Sequence, residues 1–432
     1  MVAKRSDAKS PPNARLPLRP EISWQQVPGP ADRRVAIRIT RAAERAIRAS
    51  HPWLFAPSIR RQSHDGRPGD LAVVYDHNDH FLAIGLYDPN SRIRVRILQH
   101  GEPATIDQSW FRARLEAAVR LRAPLLNSDT TAYRLVHGEN DHLPGLVIDR
   151  YDQMLVLKCY TVAWVPHLRD LLAALASVVP SGHIILRLGR AAQQQPQYLH
   201  GLIDGMVLSG LDLNGPVLFR ENGLRFEADP IRGHKTGFFL DQRDNRARVE
   251  QLAAGKTVLD AFAYTGGFSL YAARGGARAV TSLDVSSPAL EAAVRNFALN
   301  RHIPAVAAAK HELLAGDVFD ALVQLARNGR SFDMAIADPP AFAKRQNEAA
   351  RAISAYERLT RLALEILRPG GTVVLASCSS PVSAETFFEA VHRAAAQAGR
   401  PLNEIERTGH PLDHPVGFKE GAYLKCLFAT AP

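Results

Sequence analysis

TVLDAFAYTGGFSLYAARGGARAVTSLDVS, running from Thr257 to Ser286, carries the strongest structural signal in the chain. Val258 and Leu259 open a short apolar run that stops at Asp260. Gly266 and Gly267 allow a turn whose backbone can approach a ligand closely. Phe268 to Arg274 continues at helical spacing until Gly275 and Gly276 end it. A second apolar run, Ala279 to Leu283, ends on another carboxylate, Asp284. Strand, glycine turn, helix and strand make a βαβ half-unit with a nucleotide-type pocket at the strand tips. An acid roughly 20 residues beyond the glycines stands where such folds hold a ribose.

A dinucleotide site needs G-x-G-x-x-G so that pyrophosphate can rest on the helix N-terminus. Here Phe262 and Tyr264 occupy places where small glycines are expected, leaving Gly266 and Gly267. Such a loop has little room for pyrophosphate but can line a pocket for a nucleoside cofactor without one, such as S-adenosylmethionine. A purely structural βαβ unit with an ordinary tight turn is the competing reading.

Moving toward the C-terminus, FDMAIADPPAF, a helix around Ser354 to Leu367, an RPGG turn and TVVLASCSS follow. Strands alternating with helices indicate a mostly parallel, doubly wound sheet. Moving toward the N-terminus, GHKTGFFLDQRDNR precedes the first strand, and the domain starts at about residue 218. Residues 105–217 read as a central α/β module, with a helix at Trp110 to Leu121 and another at His167 to Val179. Its strands are Tyr133 to Val136, Leu146 to Arg150, Met154 to Tyr160 and Ile184 to Leu188. The polar GENDHLPG segment, Gly138 to Gly145, reads as turn chemistry. Residues 33–104 hold short β-rich runs, Leu71 to Tyr75, Phe81 to Tyr87 and Arg92 to Leu98. Alternation in the last puts Arg92, Arg94 and Arg96 on one face, an RNA-phosphate stripe or a plain solvated face. Residues 1–32, rich in Pro, Arg and Lys, read as a disordered basic leader.

Composition bounds the function. The 432 residues suggest about three domains. Against 43 acidic residues stand 53 Lys and Arg, a formal charge of +10 that favours a polyanionic partner such as nucleic acid. Three scattered cysteines exclude a disulfide framework, and 16 histidines without paired ligand spacing give no metal site. No apolar run approaches the roughly 20 residues of a membrane helix. The N-terminus lacks a signal core, so a cytoplasmic location is expected.

Ligands bind at the carboxyl ends of parallel strands. Four such ends carry polar groups, Asp260, Asp284, Asp338 and Cys378, and Asp317 in GDVF adds an acid suited to the adenine side. Pro339 and Pro340 stiffen the chain after Asp338, fixing a carboxylate and Phe342 over the pocket. In nucleic-acid methyltransferases such a corner holds a flipped base. Cys159 and Cys426 read as small core residues. Cys378 at a strand tip reads as a nucleophile: a thiolate adding to carbon 6 of cytosine makes carbon 5 able to attack a methyl sulfonium. That thiol needs an electropositive neighbour. Lys235, Thr236, Gln242, Arg243 and Arg246 form a polar cluster that grips RNA phosphate or the cofactor's methionine end, unless it is a solvated loop.

Taken together, GHKTGFFLDQRDNR, DAFAYTGGFSLYAA, DPPAFAK, SCSS, HPWLF, LPGLVIDRY and DHPV followed by EGAYLK resemble the bacterial PUA-containing, S-adenosylmethionine-dependent 23S rRNA cytosine-5 methyltransferases, the RlmI-like family. The resemblance covers nearly everything from Arg33 onward. It implies a small β-barrel PUA domain (33–104), a central α/β domain (105–217) and a Rossmann-like class I methyltransferase domain (218–432). It also implies an S-adenosylmethionine cofactor, methyl transfer to carbon 5 of a cytidine in 23S rRNA and no membrane partner, and it is compatible with a homodimer. Cys378 and Asp338 then fall at catalytic positions. Asp260, Phe262, Tyr264, Gly266, Asp284, Asp317 and Gln242 fall at cofactor positions, and Lys235, Arg243, Pro339 and Phe342 at substrate positions. Many RNA cytosine-5 methyltransferases carry a second cysteine after the Asp-Pro-Pro corner, where this chain has Ala341, so the base for the C5 proton is unassigned. Competing functions are transfer to a guanine or adenine nitrogen, which needs no cysteine, and a non-catalytic RNA-binding assembly factor.

Overall fold

The computed structural model describes residues 24–210, 215–233 and 235–432. Its largest sheet has seven strands: β1 (Thr257–Ala261), β2 (Ala279–Asp284), β3 (Lys310–Ala315), β4 (Phe332–Ala337), β5 (Leu367–Ser377), β6 (Asn403–Thr408) and β7 (Lys425–Thr430). Their order is β3-β2-β1-β4-β5-β7-β6. The first five are parallel, and β7 runs antiparallel between β5 and β6. The chain winds one way from β1 through β2 to β3, then returns past β1 to lay down β4 and β5. That reversal opens a crevice at the carboxyl tips of β1 and β4.

Side chains alternate across the sheet, and both faces are apolar, as a parallel sheet covered by helices requires. Val258, Val280, Met334, Ile336 and Val374 face one core, while Leu259, Leu283, Ala335, Val373 and Leu375 face the other. Helix Gly267–Arg274 follows the glycine turn, and Ser383 caps helix Ala384–Gln397 through Thr386 N.

Residues 35–100 form a six-stranded sheet whose two edges, Trp53–Phe55 and Ile59–Gln62, are joined by a single 3-10 turn, Ala56–Ser58. Such a link reaches at most about 14 Å, whereas the edges of six flat strands would stand about 24 Å apart. The sheet therefore curls into the expected small barrel around Val35, Ile37, Leu54, Val74 and Val95. The central unit is a five-stranded sheet in the order Met206–Ser209, His183–Leu188, Met154–Cys159, Leu146–Tyr151, Ala132–His137. One face shares a core with the barrel through Val73, Ile84, Leu86 and Leu98. Its other face, with Tyr151, Met154 and Ile185, packs against Phe219, Phe226, Phe238 and Tyr271 of the large domain.

Buried hydrogen bonds to Asp413 join the last two units, and buried ion pairs within each unit hold the groups that make them. Arg243 grips Asp413 through two 2.9 Å bonds, and the other oxygen contacts of Asp413 include the Arg134 backbone N–H at 2.8 Å. Arg122 pairs both nitrogens with Asp141 at 2.7 Å and donates to the Asp413 carbonyl at 3.0 Å. Arg134 pairs with Asp149, and Arg246 with Glu221. Breaking such a pair leaves one charge buried and alone, which costs about 3–5 kcal/mol.

Three expectations change. The leader does not extend to Asp32: Val27 is buried in the central core, Trp24 Nε1 donates to the Leu208 carbonyl, and Ala31 N donates to Asp70. Its first 23 residues lie outside the described residues. The arginine stripe does not exist as a face. Arg96 is buried, with Asp88 3.9 Å away, and Arg94 is tied to the Pro89 carbonyl, because the strand Ile93–His100 is packed on both sides in a register bulged at Gly85. Finally, Pro166 sits in a 3-10 turn, Val162–His167, so the second central helix begins at Leu168.

Candidate active site

The tips of β2, β1, β4 and β5 are neighbours in the sheet, so Asp284, Asp260, Asp338 and Cys378 line one crevice. Asp260 is buried beneath the glycine loop. Its Oδ2 accepts from Ser269 N at 2.9 Å and Ser269 Oγ at 2.7 Å, while its Oδ1 has no hydrogen-bond partner among the described residues. Burial pushes this carboxyl up to about 7, the Ser269 bonds oppose the shift, and Asp338 and Asp284 add to it. A buried acceptor left open at a strand tip is the mark of a site that awaits a donor.

The loop between β1 and the helix is wound tightly. Phe262 (φ 64°), Tyr264 (φ 49°) and Gly266 (φ 75°) all adopt left-handed backbone. Gly266 needs to be glycine, since a Cβ there would stand 2.8 Å from that of Ala293. The two aromatics pay a strain of about 1–3 kcal/mol each, which recurs where backbone is pre-shaped for a ligand. Asp284 holds this shape: Oδ2 accepts from Tyr264 N and Oδ1 from Ser286 N, both at 2.8 Å. Asp317 uses Oδ1 to cap helix Val318–Arg327 through Phe319 N and Asp320 N and is otherwise exposed.

Asp338 is half-buried at the β4 tip. Burial first, then the charge of Asp241, push its carboxyl up to about 7, against Lys235, a Gln242 hydrogen bond and Arg246. Pro339 is buried and places its carbonyl 3.8 Å from Cys378 Sγ. Phe342 packs its ring 4.9 Å from that of Tyr356. A line of hydroxyls, which no motif announced, clamps the two loops together. Ser377 Oγ donates to Tyr356 Oη at 2.8 Å, Tyr356 Oη meets Ser379 Oγ at 2.8 Å, and Ser379 Oγ accepts from Ala343 N at 3.2 Å. Cys378 sits between these two serines, half-buried rather than sealed.

Burial and the charge of Asp338 push the Cys378 thiol up to about 11, with Asp241 adding and Lys235 and Lys425 opposing. These lysines are cationic neighbours of the expected kind, but burial and Asp338 outweigh them, so the activation expected of them is not met by these residues alone. Lys425 is buried and donates to the carbonyls of Ser379 (2.6 Å), Val382 (2.7 Å) and Tyr423 (3.1 Å), pinning the loop after Cys378. Lys235, itself left-handed at φ 56°, lies over the Phe239 ring and reaches Asp241 Oδ2 at 2.9 Å, where Tyr423 Oη also donates. Nothing in sequence spacing ties Lys425 or Tyr423 to this crevice; antiparallel β7 delivers them beside β5.

Arg243 does not meet substrate. It is buried and spent on Asp413, so its expected RNA contact is withdrawn; Arg246 is equally committed to Glu221. Gln242 is buried beside Asp338, and its Oε1 accepts from Asn245. Phe239 stands edge-on to Tyr264 at 5.2 Å, so this segment packs directly on the cofactor loop.

A doubly wound sheet with this strand order, a strained non-dinucleotide loop and an open acid beneath it defines a class I methyltransferase, and the residues present fit S-adenosylmethionine. The S-adenosylmethionine-dependent methyltransferase family profile matches residues 141–429, and a PUA-like domain profile matches residues 37–100. A ribosomal RNA large subunit methyltransferase of Deinococcus radiodurans is 49% identical over 400 residues, covering 91% of this chain and 97% of that one. The ribosomal RNA large subunit methyltransferase I of Pseudoalteromonas translucida is 38% identical over 91% of this chain and 98% of its own. A solved Streptococcus mutans chain has the same fold, with a TM-score of 0.77 and 24% identity over 91% of this chain and 99% of that one. This chain belongs to the S-adenosylmethionine-dependent ribosomal RNA large subunit methyltransferases that carry a PUA-like domain.

Proposed function

We propose that the chain methylates carbon 5 of a cytidine in 23S rRNA through a covalent Cys378 adduct, working in the cytoplasm. The observation that carries this reading is the half-buried thiol at the β5 tip, clamped beside the Asp338-Pro339 corner and next to the tips that hold the cofactor. A nitrogen methyltransferase has no use for that thiol.

The cofactor supplies an electrophilic methyl group on a sulfonium. The Asp260 carboxylate, Tyr264 and Asp284 shape and charge its pocket. Asp338, pushed up to about 7 and so protonated in about half the molecules at pH 7, hydrogen-bonds in its protonated form to the cytosine ring nitrogen N3. Cys378 gives its proton to solvent, the Lys235 charge favouring the thiolate, and the thiolate adds to carbon 6. The C5–C6 π pair then resides at C5, facing the methyl group that S-adenosylmethionine bound over Asp260 and Tyr264 would supply. Loss of the C5 proton to base, with return of the N3 proton, expels the thiolate and restores the ring. Phe342 and Pro339 bound the slot for the extruded base, and the PUA-like barrel contributes RNA affinity.

RNA containing 5-fluorocytidine tests the scheme, since fluorine at C5 cannot leave as a cation. With S-adenosylmethionine present, a protein–RNA adduct resistant to denaturant is expected, and it disappears in Cys378→Ala. Methyl transfer by Cys378→Ala at the wild-type rate would instead favour a guanine or adenine nitrogen as acceptor.

A further inference from the structure

A hydrogen-bonded line crosses the sheet beneath the cofactor pocket. From Asp260 Oδ2 it passes to Ser269 Oγ (2.7 Å), to Ser282 Oγ (2.7 Å) and to His311 Nε2 (2.8 Å). Asp260 and Ser282 are register partners on β1 and β2, His311 lies on the neighbouring edge strand β3, and Ser269 bridges from the covering helix. Ser269 and Ser282 are fully buried at places where a parallel sheet under a helix ordinarily carries aliphatic groups. His311 is half-buried, its ring stacked 3.7 Å from that of Phe297. The inner end is the acid whose second oxygen has no partner among the described residues, and the outer end is a titratable ring at the sheet edge.

We propose that Ser269, Ser282 and His311 are a proton path by which Asp260 gives up its proton as the cationic methyl donor binds, and recovers it when the cofactor leaves. This rests on Asp260 belonging to the cofactor pocket. The directions balance. For Asp260 to gain a proton, Ser269 passes its hydroxyl proton to Oδ2, Ser282 replaces it, and His311 Nε2–H replaces that, while Nδ1 takes one proton from solvent. Release runs the same hops backwards. Both serines can accept and donate at once, which is what such a relay requires.

The groups facing Asp260 favour a proton there until a cation arrives. Asp338, just past the β4 tip, and Asp284 on β2 are the acidic neighbours, and both oppose a negative charge on Asp260. Around His311, Lys310 and Arg330 are both committed to Glu312, and the ring touches Ser282 and Phe297. Burial favours its neutral form, pushed down to about 4, so His311 passes protons without storing charge.

Stopped-flow mixing of the whole protein with S-adenosylmethionine in weakly buffered indicator dye, at pH 7, tests this. With the carboxyl near 7, about half a proton per cofactor is expected to leave Asp260, rising toward one near pH 6 and falling to about a tenth near pH 8. Amines of the alpha-amino type titrate close by, so release by Asp260→Asn is subtracted as the contribution of the cofactor and other groups. Binding itself is read by tyrosine and tryptophan fluorescence. In Ser282→Ala, and in His311→Phe, which keeps the ring stack on Phe297, proton release should lag behind binding, whereas in wild type the two coincide, while the fluorescence phase stays unchanged. Release that keeps pace with binding in both variants overturns the path. Equal release from wild-type and Asp260→Asn overturns the role of Asp260. Absence of any fluorescence change or heat of binding in wild-type protein would instead remove the cofactor-site assignment, and the path with it.

Discussion

The protonation of Cys378 offers the most direct check on the site, because only the thiolate is alkylated. Its thiol is pushed up to about 11 by burial and by Asp338. At pH 8 that leaves a thiolate fraction of about 0.001, against about 0.24 for an unperturbed thiol of pKa about 8.5. Iodoacetamide should therefore modify Cys378 about 200-fold more slowly than a free model thiol. The rate should climb about tenfold per pH unit until pH 11. The two charges nearest in effect give opposite signs. Lys235→Met removes a cation that favours thiolate, so alkylation slows. Asp338→Asn removes an anion that disfavours it, so alkylation quickens. A shift of one pKa unit is about tenfold in each case. Peptide mass spectrometry resolves Cys378 from Cys159 and Cys426, which are buried and held still more firmly as thiols. A midpoint near 8.5, or slower reaction in Asp338→Asn, would refute the account of a thiol kept neutral until substrate displaces water and neutralises the carboxylate.

Asp413→Ala should destabilise the protein by about 3–5 kcal/mol in urea unfolding, since Arg243 would lose its two-bond partner and keep only Glu221 at 3.7 Å, which Arg246 already engages. Asp260→Asn should alter stability against pH with a defined sign. Its folded pKa of about 7 lies above the ordinary carboxyl value, so its stabilising contribution is complete below about pH 4 and is lost as pH rises through 7. Thermal melts should show wild type losing ground to Asp260→Asn across that window, with the variant the more stable at pH 8 if its lost Ser269 bonds cost less than the relieved charge. Tyr264→Gly should relieve about 1 kcal/mol of backbone strain while weakening S-adenosylmethionine binding measured by calorimetry. A gain in both stability and affinity would show that the left-handed loop has no part in shaping the pocket.

Residues that act through local backbone were legible in the sequence, and those that act through a partner far along the chain were not. The βαβ unit at 257–286 was readable because each feature, an apolar run, a glycine or a terminal acid, is set by its immediate neighbours. Most of the strand edges named fell within about two residues for the same reason, but β5 begins at Leu367, five residues before the expected Thr372, and takes in the RPGG segment that read as a turn. Arg243 and Lys235 looked alike on the page, both cationic in one polar segment. What separates them is Asp413, about 170 residues on, which takes Arg243 out of reach, and Asp241, which leaves Lys235 at the mouth of the crevice. Arg96 failed likewise: strand alternation gave it a solvent face that the domain junction fills.

The same distinction explains why Cys378 could be named while its control could not. A thiol at the end of a buried strand is a local fact. Its acidity depends on Asp338 from β4, Lys235 from the segment before β1 and Lys425 from β7, three places joined only by strand order. The net effect is an inactive thiol, so substrate must supply the missing activation. Seating a base against the Asp338–Phe342 corner excludes water and holds Asp338 in the protonated form that donates to the ring, which removes the larger opposing charge and leaves Lys235 and Lys425 to favour the thiolate against Asp241 alone. The nucleophile is thereby coupled to occupancy of the slot, and the thiol stays protected whenever the slot is empty.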